Sequence, residues 1–134
     1  MKKAKKRQRE IRFHSPKCGR LICVNSYAEQ AYANALEADE QVEGFEENYC
    51  LNTERFQNID PVGIRSSYFD QEWKTDFLVH KKDGSHAVRE LVRGDELTRI
   101  TVLEQLELSR RYWEVEGVSD WKIILVEGAV GHVS

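Results

Sequence analysis

Three cysteines in 134 residues are too few, and odd in number, for a disulfide framework. The spacing of Cys18, Cys23 and Cys50 matches no zinc pattern. His14 lies near the first two, which gives three donors and no obvious fourth, so plain reduced thiols are the simpler reading. No apolar run approaches the ~20 residues of a membrane span, and no apolar segment follows the basic N-terminus as it would in a secretory signal. A cytoplasmic protein with no membrane contact is therefore expected. There is no internal repeat, no low-complexity segment beyond the N-terminal basic run, and nothing with the character of a base-reading helix. Hydrophobic residues at 40% and charged residues at 32% argue against wholesale disorder, and the length suits one domain.

The net charge of -3 conceals an asymmetry. Residues 1–20 carry nine Lys or Arg against the single acid Glu10, a local charge of +8 that leaves -11 on the remainder. Residues 1–18 read as a basic, flexible arm and 19–134 as the folded domain. Such an arm suits contact with nucleic-acid phosphate through Lys2, Lys3, Lys5, Lys6, Arg7, Arg9 and Arg12. A solvated terminus that binds nothing has the same composition, and both readings stand at this level.

Periodicity and turn chemistry give the element order. GRLICVN (19–25) reads as a strand, and SYAEQAYANALEADEQ (26–41) as a helix with Ser26 as N-cap and Glu29 completing a capping box. Its apolar face is expected from Tyr27, Ala28, Ala31, Tyr32, Ala35 and Leu36. VEGFEENYCLN (42–52) is a strand, and TERFQNIDPVG (53–63) a connection with a helical turn before Asp60-Pro61. Residues 64–82 read as one long strand or two broken near Asp70, and HAVRELVR (86–93) as the return strand. A helix follows over about 95–116, with Leu97, Ile100, Leu103, Leu106 and Trp113 near one stripe and Gly117 as its stop. SDWKIILVE (119–127) is a last strand whose apolar run suggests a parallel position buried on both faces. Alternating helices and strands predict an α/β fold, a central mixed sheet flanked by helices.

The chemistry concentrates in TDFLVHKKDGSHAVREL (75–91). A turn centred near Asp83-Gly84 sets Asp76 opposite Glu90 or Leu91. Opposed side chains in an antiparallel pair have Cβ atoms ~4.5–5.5 Å apart, and two like charges that close destabilise the sheet unless a positive group sits between them. A divalent cation such as Mg²⁺ is one such group, since it favours one or two protein carboxylates and retains several waters. Solvation at a sheet end, or pairing with Lys74, Arg89 or Arg93, is the competing explanation. Glu29 is a third acid in reach of the same cluster, or simply a cap. Arg110 and Arg111 suit either phosphate or a helix C-terminus. Trp73, Trp113 and Trp121 read as packing residues, and His80 and His86 as polar groups flanking the turn.

Taken in order, S-x-x-E on the first helix, an acidic strand opening near Phe45, T-D-F-L-V with an acid 14 residues later, then L-E-Q-L-E-L-S-R-R-Y-W and W-K-I resemble the TnsA-type endonuclease subunit of heteromeric transposases. The resemblance spans about Gly19 to Glu127. It implies a type II restriction-endonuclease-like core that cuts one DNA strand at transposon ends with Mg²⁺ or Mn²⁺. The implied partners are a DDE-type transposase that cuts the other strand and a AAA+ transposition regulator. The family's helix acid falls on Glu29, its strand aspartate on Asp76 and its E-x-K acid on Glu90, which are the implied catalytic groups and metal ligands. The E-x-K lysine falls on Val92. Losing that charge can cost orders of magnitude in rate. Lys74 is the nearest substitute, two residues before Asp76, and Lys122 a weaker one; Arg89 and Arg93 alternate to the other face. The match corresponds to the nuclease domain only, without the C-terminal regulator-contacting domain of the founding members. A nuclease-fold subunit that binds DNA and the transposase but cuts weakly or not at all is the alternative.

Overall fold

The computed structural model describes residues 10–127. Eight regular elements run in the order β1 (Ile11–Ser15), β2 (Arg20–Val24), α1 (Tyr27–Ala38), β3 (Val42–Cys50), β4 (Lys74–Lys81), β5 (His86–Arg93), α2 (Ile100–Val115) and β6 (Asp120–Val126). β1 and β2 form a separate antiparallel hairpin, while the other four strands make one sheet in the order β3-β4-β5-β6. The first three of these pair antiparallel and β6 joins parallel to β5. A parallel neighbour cannot be reached by a tight turn, so the chain crosses through α2. Among the described residues no helix is long and apolar enough to cross a membrane.

The sheet separates two cores. Phe45, Phe77, Val79 and Ala87 point to one side and pack with Ile22, Val24, Ala33 and Leu36 from the hairpin and α1. Leu78 and Val88 point to the other and pack with Leu108, Tyr112 and Trp113 of α2. The same side takes Phe56, Ile59, Ile64 and Tyr68 from residues 51–73, which hold two short 3₁₀ segments, Thr53–Asn58 and Ser66–Asp70. That excursion is closed at its base by Leu51 N–H on the Trp73 carbonyl at 2.9 Å. Phe77 is only 1% exposed, and burial of a side chain that size stabilises by roughly 1.5–3 kcal/mol.

Local signals behave as their chemistry requires. Ser26 Oγ accepts from Glu29 N–H at 3.1 Å and starts α1. Gly117, at φ +90°, ends α2 by a turn that puts Val118 N–H on the Trp113 carbonyl at 2.8 Å. Gly84, also at φ +90°, closes the β4–β5 turn.

Several expectations are corrected. Residues 11–15, assigned by composition to the arm, are β1, and its partner β2 carries the buried Ile22 and Val24. Residues 64–73 are not strand: tyrosine and phenylalanine there fill the core from the second 3₁₀ turn. The inner face of α1 is Ala33 and Leu36 with Tyr32 beside them, while Tyr27, Ala31 and Ala35 are exposed. α2 buries Leu108, Ser109, Tyr112 and Trp113, whereas Ile100 and Leu103 lie 58% and 43% exposed on its overhanging first half. β6 is parallel to β5 as expected, but it is an edge strand and Leu125 is 60% exposed.

Candidate active site

The turn fixes the β4–β5 register as Leu78↔Val88 and Phe77↔Arg89, and the same count sets Asp76 opposite Glu90. The backbone ladder stops at Phe77, and beyond it two carboxylates take over. Asp76 N–H donates to Glu90 Oε1 at 3.3 Å, and Leu91 N–H donates to Asp76 Oδ2 at 2.7 Å. On the other flank the β3–β4 register passes from Glu47↔Phe77 to Tyr49↔Thr75 without a partner for Asp76. Asn48, at that skipped position, has φ +50°, a left-handed conformation that asparagine tolerates better than most residues. The irregularity changes which face β4 presents. Phe77 packs on the α1 side, yet Thr75, two residues away, bonds to groups from α2. A regular strand would put both on one face.

Glu90 is 6% exposed, so its charge must be met by hydrogen bonds. Its Oε2 accepts from Ser109 Oγ at 2.5 Å and Thr75 Oγ1 at 2.8 Å. Those hydroxyls receive indole N–H bonds in turn, from Trp121 at 3.0 Å and from Trp113 at 2.8 Å. The charges of Asp76 and Glu90 meet no Lys or Arg at ion-pair distance among the described residues. Burial pushes the Asp76 carboxyl up to about 7, with the neighbouring charge of Glu90 adding to the effect, the Leu91 N–H opposing it and the charge of Glu29 a smaller contributor. Burial also raises Glu90, against the donors Ser109, Thr75 and Asp76 N–H. Glu90 accepts from three donors and Asp76 from one, and each such bond favours the charged form of the carboxylate that receives it.

Asp76 and Glu90 line a cleft of about 250 Å³ on the α2 side, with Lys74, Val92, Gln105 and Ser109 among its other walls. Lys74 is exposed, and its ammonium group has no hydrogen-bond or ion-pair partner among the described residues. Val92, at the position of the implied lysine, is buried. Lys122 does not line the cleft. Arg89 is held by Asp120 at 2.9 Å, and that contact, with Lys81, pulls the Asp120 carboxyl down to about 2. Arg93 pairs with Asp95 and Glu96.

The structure brings Asp76, Glu90 and Lys74 to one cleft and sets Glu29 apart. Glu29 Oε1 accepts from Asn25 N–H at 2.9 Å, a capping box displaced by one residue. It lines a different groove of about 960 Å³ between α1 and the ends of β5 and β6. Among the described residues no three His, Cys, Asp or Glu side chains are grouped to hold a metal ion, and Cys18, Cys23 and Cys50 are free thiols. A cation at this site would therefore rest on two carboxylates and water. Lys2, Lys3, Lys5, Lys6, Arg7 and Arg9 lie outside the described residues, and Arg12, on β1, pairs with Glu10 at 3.0 Å. Arg110 and Arg111 serve α2: both bind Glu107, and Arg111 also binds the Asp60 and Val62 carbonyls. His80 meets Glu46 at 2.6 Å and packs edge to face on His86 at the opposite end of the hairpin from the carboxylates.

Sequence reasoning missed Thr75, Ser109 and the polar role of two tryptophans. The available signal was Ser109 at helical spacing from Leu106, Tyr112 and Trp113, on the apolar face of α2 where a buried hydroxyl needs a partner. No protein-family model matches the chain, and no curated protein matches it in sequence.

Proposed function

We propose that the protein is a metal-dependent DNA endonuclease with a restriction-endonuclease-like core, acting as the TnsA-type nuclease subunit of a heteromeric transposase. The observation that carries this reading is the Asp76–Glu90 pair: adjacent carboxylates where β4 and β5 part, with no Lys or Arg at ion-pair distance among the described residues. The donor set fits a hard dication, because Mg²⁺ takes one or two carboxylates and keeps its waters, and the cleft beside the pair has room for them. When bound, Mg²⁺ or Mn²⁺ supplies charge neutralisation at a phosphoryl oxygen and acidifies water.

The protein's own groups do the rest. Asp76 and Glu90 hold the ion, and Glu90 is held in turn by Thr75 and Ser109. Lys74, on the cleft wall, offers an ammonium group to the charge that develops on the scissile phosphate. The chain enters the fold at β1, where Ile11 pairs with Val24 two residues before the α1 N-cap. The basic residues that precede it in sequence contribute sequence-independent phosphate contacts. Choice of DNA end falls to the DDE-type transposase, with a AAA+ regulator governing assembly.

One observation favours a second reading. The implied lysine position is a buried valine, so the nuclease depends on Lys74 or lacks a phosphate-facing cation. A subunit of the latter kind binds DNA and transposase without cutting. Purified protein, partner transposase and end-containing DNA with Mg²⁺ or Mn²⁺ separate the two. The endonuclease reading expects a nick that Asp76→Ala abolishes and Lys74→Ala slows by orders of magnitude. Assembly on the DNA without any nick supports the second reading and overturns the first.

A further inference from the structure

Serine and threonine hydroxyls ordinarily rotate and can donate or accept, whereas an indole N–H only donates. In this site the indoles remove that freedom. Trp113 Nε1–H donates to Thr75 Oγ1 at 2.8 Å and Trp121 Nε1–H donates to Ser109 Oγ at 3.0 Å, so each hydroxyl directs its own proton elsewhere. Both direct it to the same atom, Glu90 Oε2, at 2.8 and 2.5 Å. Two donors occupy the two lone pairs of that oxygen. Oε1 is left with the 3.3 Å bond from Asp76 N–H and has acceptor capacity to spare.

We propose that this double clamp restricts Glu90 to ligation through one oxygen and thereby selects a small, octahedral dication against Ca²⁺. The proposal rests on the reading of Asp76 and Glu90 as a cation site. Ca²⁺ takes six to eight oxygens in flexible geometry and readily accepts both oxygens of a carboxylate, while Mg²⁺ demands near-ideal octahedral geometry and fills it with water. Two-oxygen ligation by Glu90 requires Oε2 to leave two buried hydroxyl donors, each already fixed by a tryptophan, and buried donors left unpaired are costly. Thr75 and Ser109 are thus positioning residues that tune the site through Glu90.

Calorimetric titration of Mg²⁺, Mn²⁺ and Ca²⁺ into the full chain at one pH tests this, with far-UV circular dichroism to verify folding. The wild type binds Mg²⁺ and Mn²⁺ in preference to Ca²⁺. Ser109→Ala and Thr75→Val narrow that preference by about tenfold, mainly through tighter Ca²⁺, since each frees one lone pair of Oε2. Thr75→Ser keeps the hydroxyl and keeps the wild-type ratio. Trp121→Phe, on the edge strand, narrows it through loss of hydroxyl orientation and serves if the buried substitutions fail to fold. Absence of any dication uptake by the wild type overturns the cation site and the clamp together. Uptake by the wild type with an unchanged ratio in the folded variants overturns the clamp alone.

Discussion

Asp76→Asn should make the metal-free protein more stable, and the gain should depend on pH. The fold lifts this carboxyl from an ordinary 3.8 to about 7, chiefly by burial and next by the charge of Glu90. The folded chain therefore binds the proton more tightly than the unfolded chain, and stability falls as pH rises from about 4 to about 7, then levels. At about 1.4 kcal/mol per pH unit the destabilisation above neutrality is about 4 kcal/mol, and relaxation with water entry reduces it to about 2–4 kcal/mol. Asparagine keeps a carbonyl oxygen for the Leu91 N–H that Asp76 Oδ2 now accepts at 2.7 Å, but it carries no charge. Urea unfolding followed by tryptophan fluorescence, in chelator, is the assay. Near pH 8 the variant should exceed the wild type by that amount, and near pH 4 the difference should shrink to under about 1 kcal/mol. A variant no more stable than the wild type near pH 8, or a difference equal at both pH values, refutes the electrostatic reasoning.

Three further outcomes follow from the same structure. Asn48→Ala should cost about 1–2 kcal/mol in urea unfolding because its left-handed backbone resists a Cβ without local hydrogen-bonding groups, while Asn48→Gly should be nearly neutral. Thr75→Val removes both the acceptor of Trp113 Nε1–H and a donor to Glu90, and should cost about 2–3 kcal/mol, against about 1 kcal/mol for Thr75→Ser. Neutralising Lys2, Lys3, Lys5 and Lys6 together should weaken binding to all duplex sequences alike and flatten the salt dependence of affinity, by about 0.9 in slope for each phosphate no longer neutralised. An unchanged slope would remove the arm from the DNA interface.

What was legible in the sequence was local. Asp83-Gly84 between alternating strands set the hairpin register, and that register alone put Asp76 against Glu90. Ser26 and Glu29 announced α1 because capping is a contact over three residues. The misreadings came where tertiary context decided. β1 was hidden because Ile11 and Phe13 alternate within a run dominated by lysine and arginine. The leucine and isoleucine spacing in the first half of α2 looked like a buried stripe, but the helix seats through Leu108, Ser109, Tyr112 and Trp113, where a hydroxyl and an indole N–H bond into the site. Ile-Ile-Leu-Val in β6 matched a doubly covered strand, although it closes the sheet edge. The clamp on Glu90 was out of reach for the same reason: Thr75 and Ser109 stand 34 positions apart and share a partner only once α2 crosses the sheet.

Whether the half-buried Asp76 and the buried Glu90 on neighbouring strands form a seat for a hard dication is decided by isothermal titration of Mn²⁺ into the metal-free protein near pH 8. One ion per chain should be taken up, and the binding isotherm should vanish in both Asp76→Asn and Glu90→Gln. A flat titration of the wild type, or an isotherm unchanged in the two amide variants, would contradict the dication seat.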